Sequence, residues 1–395
     1  MIRIRFEYSL LISFLAGLLI ASIIPIKIDL FPIVAESFIA AFMFVAPVIV
    51  FLIMFNSSCS LMENSDVAGR VIESSVIVFV SLVVGCSLFT SIILSFMLPA
   101  STSSTWVSNE AFSYVVHIML TSLLRPVTVA LLLGVTLAFG FSSTPLFGKV
   151  LKLSKKMHAF QEQSFKLLLK IFPIITMSLG ATLYYTLGRV SVEAYVVSML
   201  LTFLLGLATL SILLIVVAGV THRRLTELAR YSVRMLGIGL SIGSSYVILP
   251  LALKVFKEHF DTDSGIRDLV LTLGASLNRC GSVMGVLIVT FVAAHYTGFA
   301  ISWQQMLLLA FPVALIGFGS PGIQGGTLLV AMPAILYIVP LLNNERFMTV
   351  ALALFVGGTT FVQAAINSVA SGYITLLIND SISKMKHQER SQPDR

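Results

Sequence analysis

Arg279 is the residue whose type and place most demand a chemical account. It stands in the run Gly274-Ala275-Ser276-Leu277-Asn278-Arg279-Cys280-Gly281-Ser282, inside an apolar stretch at about 266–297 that is long enough to cross a bilayer. A central arginine costs about 2.5–3.5 kcal/mol on insertion scales and needs a carboxylate, carbonyls, water or an anionic ligand as partner. The alternative is an arginine that snorkels to the surface; its polar neighbours place it deep. The two bracketing glycines predict a locally unwound helix whose free carbonyls hold a cation or ligand. A second polar set, Thr360, Gln363, Asn367 and Ser371, recurs at three- and four-residue spacing, so it shares one helical face. That face either lines a site or serves as hydrogen-bonding glue between helices. No carboxylate is embedded beside either set: Asp261, Asp263, Asp268 and Glu345 fall in loops or at span ends.

These residues need helices in lipid to position them. The chain has 395 residues, 57% apolar and 11% charged, with a mean hydropathy of +0.99. An ordinary soluble domain is about a quarter charged. Eight conventional spans are predicted, at about 8–26, 35–56, 73–98, 112–142, 160–187, 193–220, 266–297 and 347–378. The first lacks a small-residue cleavage site and is followed by further spans, which argues against a removed signal. Two other apolar segments are interrupted midway. The segment 230–256 carries Gly237, Gly239, Gly243, Ser244, Ser245 and Pro250; the segment 304–341 carries Gly317, Gly319, Ser320, Pro321, Gly322, Gly325 and Gly326. Such clusters fit a helical hairpin that enters the membrane, turns and leaves, a backbone tolerated only where buried or lining a cavity. Close small-residue helix packing is the other reading.

Basic residues cluster at Arg3 and Arg5, at Lys149 to Lys156, at Arg223 to Arg234 and at Lys384 to Arg395, while 99–111 and 296–305 contain none. The positive-inside rule then places both termini in the cytoplasm, and the two interrupted segments enter from opposite sides. The net charge of +7 reflects these loops; no basic stretch carries the aromatics of a nucleic-acid platform. Cys59, Cys86 and Cys280 have no metal spacing and read as free thiols. The histidines form no ligand pair, and no nucleophile–base motif appears, so neither a metal site nor an enzyme is expected. Arg125-Pro126 is a second deep arginine, read as structural.

Taken together the segments resemble the dicarboxylate/amino acid:cation (sodium:dicarboxylate) symporters, which include glutamate and aspartate transporters. Met43 to Arg70 follows the family's second span and its turn, and Phe172-Pro173-Ile174 resembles the fifth-span "APIG". Gly243 to Pro250 resembles the serine-rich first hairpin tip, and Leu273 to Ser282 the motif "LGATINMDGT". Gly319 to Gly326 resembles the second tip, and Asn367 the eighth-span asparagine.

The resemblance implies an all-α membrane protein of eight transmembrane helices plus two re-entrant helical hairpins, with an elevator-type, glutamate-transporter-like fold, assembled as a homotrimer in an inner or plasma membrane. Residues 1–72 and 111–190 would be scaffold, 73–110 and 191–380 a mobile transport domain, and 381–395 a cytoplasmic tail. The implied function is symport of a small dicarboxylate or amino acid, with no cofactor beyond a coupling sodium ion or proton. Substrate contacts fall on Ser244, Ser245, Arg279, Ser282, Gly322, Thr360, Gln363 and Asn367; a cation site would draw on Gly274, Ser276, Asn278, Ser320 and Ser371. The chain departs from the family where Arg279 and Cys280 replace Met and Asp, where the eighth span lacks its acids and arginine, and where Leu82 and Val83 replace the third-span Thr-Ser pair. Sodium independence, exchange or uniport of another small anion, or a non-transporting sensor on the same fold are the alternatives these departures raise.

Overall fold

The computed structural model describes residues 6–23, 65–98, 126–142, 191–320 and 326–391, with shorter stretches between 47 and 62 and between 144 and 181. The second and fifth predicted spans, residues 112–125, Arg125 included, and the tip 321–325, Gly322 included, lie wholly or largely outside them.

The described residues are helical, with no strand among them. The helices are α1 (Phe6–Ile23), α2 (Ser65–Phe96), α3 (Pro126–Ser142), α4 (Val192–Thr221), α5 (Leu225–Ile242), α6 (Ser245–His259), α7 (Ser264–Leu277) and α8 (Cys280–Thr297). Then follow α9 (Trp303–Gly319), α10 (Gly326–Ile338), a 3-10 turn (Pro340–Leu342), α11 (Glu345–Leu354), a π turn (Phe355–Thr359) and α12 (Thr360–Ser391). By length and composition, Ala68–Phe96, Val192–Thr221, Ser264–Thr297 and Glu345–Met385 can each cross a membrane. Helix α2 starts at Ser65, eight residues before the predicted third span, so Arg70 belongs to the helix rather than to a preceding turn.

Polar residues start the helices at their outer ends. Asp263 Oδ1 accepts from the backbone N–H of Gly265 at 2.9 Å and of Ile266 at 3.2 Å. Ser302 and Gln305 form a reciprocal capping box, and Asn344 Oδ1 accepts from Arg346 N–H at 2.8 Å. Inside the bundle the helices stop differently. Helix α5 ends at Gly243, which takes the left-handed conformation (φ 70°) that glycine adopts without steric cost. Ser244 is extended and α6 begins at Ser245. Arg234, midway along α5, donates to Glu258 in the last turn of α6 at 2.9 Å, so the two helices run antiparallel. The reversal is therefore at Gly243–Ser244; Pro250, which the sequence grouped with it, sits inside α6. In the same way Gly317 belongs to α9, which ends at Gly319.

The broken path is the central one. The apolar window of Ser264–Thr297 is 89% buried, against 28% for the unbroken α4. Irregular backbone at depth thus lies where protein covers it. Helix α12 is the hub, packing on α4, α5, α7 and α8. Glycines let these neighbours approach: a Cβ on Gly239 would run into the Ala365 backbone, one on Gly274 would lie 2.6 Å from Ser371 Oγ, and one on Gly281 2.6 Å from the Gln363 carbonyl. Gly239 is therefore a packing glycine and Gly243 a turning one.

Candidate functional site

The break between α7 and α8 spans two residues, Asn278 and Arg279, both outside helical geometry. Asn278 is fully buried and knits the break to α12: its Nδ2 donates to the Asn367 carbonyl at 2.9 Å and to Ser371 Oγ at 3.0 Å. Its Oδ1 accepts from Cys280 N–H at 3.3 Å. Asn367 answers from the other side, its Oδ1 accepting from Gly281 N–H at 2.8 Å and its Nδ2 donating to Ser282 Oγ at 3.1 Å. Two asparagines thus occupy the first N–H groups of α8, which would otherwise be orphaned.

The break does not offer a free carbonyl at Gly274, whose oxygen accepts from Asn278 N–H at 3.0 Å. The Asn367 carbonyl is also taken, by Asn278 and by Ser371 Oγ at 2.8 Å. Of the other cation candidates, Ser276 Oγ receives a long bond from Tyr246 at 3.4 Å, and Ser320 Oγ pairs with Thr327 Oγ1 at 2.9 Å.

A cavity of 20 Å³ lies beside the break, lined by Gly243, Ser245, Arg279, Ser282, Thr327, Phe355, Thr360, Gln363, Ala364 and Asn367. The N-termini of α6, α8 and α10 meet here, a convergence that favours negative charge. Six of the predicted substrate residues share this wall: Ser245, Arg279, Ser282, Thr360, Gln363 and Asn367. Ser244 is buried next to it in the α5–α6 turn. Gly274 and Ser371 instead line a neighbouring cavity of 10 Å³, which shares Ser245 and Asn367. A larger cleft, of 730 Å³, sits among helix ends at Ser191, Tyr296 and Asn344 to Arg346.

Arg279 differs from its neighbours in the wall. It is 1% exposed, and its Nε and Nη2 have no hydrogen-bond partner among the described residues. Its guanidinium carbon lies 5.5 Å from the centroid of the Tyr246 ring, a cation–π contact that softens the desolvation of the charge without neutralising it. Tyr246 was not foreseen as a site residue, although it directly follows the Ser244-Ser245 pair. Thr327 and Phe355 were missed as well. Phe355 opens the π turn, whose carbonyl receives Thr360 Oγ1 at 2.6 Å, while Gln363 Nε2 donates to Thr359 Oγ1 at 2.8 Å. Such turns recur at functional sites; the adjacent Gly357 and Gly358 were the available signal.

An apolar helical bundle, closed around a buried cation where helices break, is the arrangement of a membrane transport protein rather than of an enzyme. Residues 6–381 match the sodium:dicarboxylate symporter family, and the chain belongs to it. It is similar to the serine/threonine transporter SstT of Acinetobacter baylyi, with 22% identity over 355 residues covering 83% of this chain and 85% of that protein. The chain is thus a multi-pass membrane protein of a symporter family, and the resemblance read from its motifs holds over nearly its whole length.

Proposed function

We propose that the protein is a secondary transporter of a small carboxylate or amino acid, and that Arg279 is a tethered cation standing in for a coupling ion. The observation that carries this is the buried guanidinium, unpaired at two nitrogens among the described residues, on the wall of a cavity built from helix breaks. A charge in that position requires a partner, and an anionic substrate supplies one. The serine/threonine specificity in the relative's name keeps amino acids among the candidates; their carboxylate suits the same arginine.

In this reading α5–α6 and α9–α10 are re-entrant hairpins. The second hairpin is the outer gate through which the substrate loads. Residues 73–110 and 191–380 move together as the transport domain, a grouping supported by the packing of α2 on α7, α8, α9 and α12. Residues 1–72 and 111–190 form the scaffold of a homotrimer, 381–395 form the tail, and both termini face the cytoplasm. Ser244 and Gly322 complete the substrate contacts.

A fixed positive charge has a transport consequence. The domain carrying one anion is neutral as it crosses; the empty domain carries +1. Returning empty then costs about 2.3 kcal/mol per 100 mV of opposing potential, besides the exposure of an unpaired cation. Exchange should therefore outrun net uptake. The test is counterflow of a labelled carboxylate in proteoliposomes, with sodium or potassium as the sole cation. Equal counterflow in both salts, faster than net uptake by tenfold or more and lost in Arg279→Met, is expected. A sodium requirement, or unchanged flux in Arg279→Met, would sink the tethered-cation idea; binding without counterflow would make the protein a sensor.

A further inference from the structure

The geometry points to Tyr246 as a positioning residue for the return step: its ring shelters the Arg279 charge while the domain crosses without substrate, and so sets how far net uptake lags behind exchange. This rests on the transport reading above and deepens it.

Tyr246 is the second residue of α6, directly beyond the Gly243–Ser244 turn. Its neighbour Ser245 lines the cavity, while its own ring centroid lies 5.5 Å from the guanidinium carbon of Arg279. Both partners are held in place. Tyr246 is 5% exposed, and its hydroxyl donates to Ser276 Oγ of α7 at 3.4 Å. A Cβ on Gly317 of α9 would lie 3.6 Å from Arg279 Cβ, so the stem of the arginine is packed as well. Ring and cation sit on different elements, the α5–α6 hairpin and the α7–α8 break, but both belong to the proposed transport domain and travel together.

The three stages of a cycle treat Arg279 differently. In a loaded domain the carboxylate of an amino acid or a dicarboxylate pairs with it, and a ring adds little to a charge already met. In an open site water solvates it. A domain that crosses without substrate has neither, and the cavity wall carries no acidic residue. The aromatic face is then the partner that the described residues supply, and a desolvated cation gains most from such a face. A carboxylate at the same place would compete with the substrate; a ring offsets the charge and leaves it available. Removing the ring therefore raises the barrier to the empty crossing more than the barrier to the loaded one. A packing role alone predicts otherwise, because leucine would then serve as well as tyrosine.

The experiment compares exchange with net uptake of labelled L-serine, L-aspartate or succinate in proteoliposomes of the native protein, Tyr246→Phe and Tyr246→Leu. Potassium is the sole cation, and valinomycin clamps the membrane potential at zero, so every variant meets the same field. The ratio of exchange to net uptake should rise about tenfold in Tyr246→Leu, the scale of a desolvated cation–π contact. It should stay within about twofold of the native ratio in Tyr246→Phe, which keeps the face and loses only the long bond to Ser276. Fluorinated phenylalanines in place of Tyr246 keep the shape of the ring and withdraw its negative face. The ratio should climb with their degree of fluorination, a comparison that holds even if Tyr246→Leu does not fold. A ratio indifferent to all these changes, or one that moves as far in Tyr246→Phe as in Tyr246→Leu, would overturn the role of the ring while the transport reading stands. So would native exchange without measurable net uptake, since the ring would then permit no empty return. If the native protein exchanges none of the three probes, both fall.

Discussion

At the end of the bundle where α5 begins and α6 finishes, cations are paired. Arg223 bonds Glu227 at 3.0 Å, Arg234 bonds Glu258 at 2.9 Å and stands 3.2 Å from His259 Nδ1, and Arg267 bonds Asp268 at 2.6 Å. At the α7–α8 break, Arg279 is more deeply buried than any of these and meets an aromatic face instead of a carboxylate. Of these pairs Arg234–Glu258 ties α5 to α6, while Arg223–Glu227 and Arg267–Asp268 are local to the start of one helix. Among the described residues Arg279 is offset only by Tyr246, and the protein bears the rest of the cost of its burial. A buried charge that is only partly offset, next to a cavity, is the kind of group that recognises a ligand.

The sharpest way to break this comparison is Arg279→Gln. Ligand-induced stabilisation should fall by at least about 100-fold in apparent affinity, the scale of a lost buried charge pair. The unliganded variant should nevertheless be more stable than the native chain, by about 1 kcal/mol. That figure sets a central arginine's insertion cost of about 2.5–3.5 kcal/mol against a cation–π contact of up to about 2 kcal/mol. Midpoints with and without ligand measure both signs at once. A variant that loses binding and stability together would make Arg279 a structural residue.

Next in size is the network that shapes the break. Asn367→Leu removes the acceptor of Gly281 N–H and the donor to Ser282 Oγ, leaving buried polar groups unpaired. Each such group costs about 1–3 kcal/mol, so the unliganded midpoint should fall by several degrees. The same change at Ser368, whose hydroxyl merely returns to the Ala364 carbonyl of its own helix at 2.7 Å, should cost less than half as much. Equal losses at the two positions would show that the asparagine network is not what fixes the break.

The contrast also explains what could be read in advance. Arg279 and the polar face of α12 stand out in sequence because charge and hydrogen-bonding groups are costly in lipid wherever they point. Of the six predicted lining residues, the five other than Ser245 follow from that rule alone. Gly239 and Gly243 could not be told apart. One lets Ala365 approach and the other turns the chain, and both uses call for the absence of a Cβ. Which carbonyls the unwinding frees was equally hidden: across the two-residue break Asn278 N–H still donates to the Gly274 oxygen. Tyr246 was invisible because an aromatic in an apolar segment is unremarkable until the cation beneath it is located.

The smallest expected effect tests the paired end. In Arg234→Ala the bonds to Glu258 and His259 are lost, but Glu258 is 43% exposed and remains hydrated when left alone. Solvent-screened pairs of this kind contribute about 0–1 kcal/mol, and the loss should shrink as salt is raised. Ligand selectivity should be unchanged, because the pair lies a full helix length from Ser245 and the cavity. The ratio of succinate to serine concentrations giving equal midpoint shifts measures this. A change in that ratio would mean that the α5–α6 turn transmits the state of its far end to the site, and the division between structural and binding arginines would no longer hold.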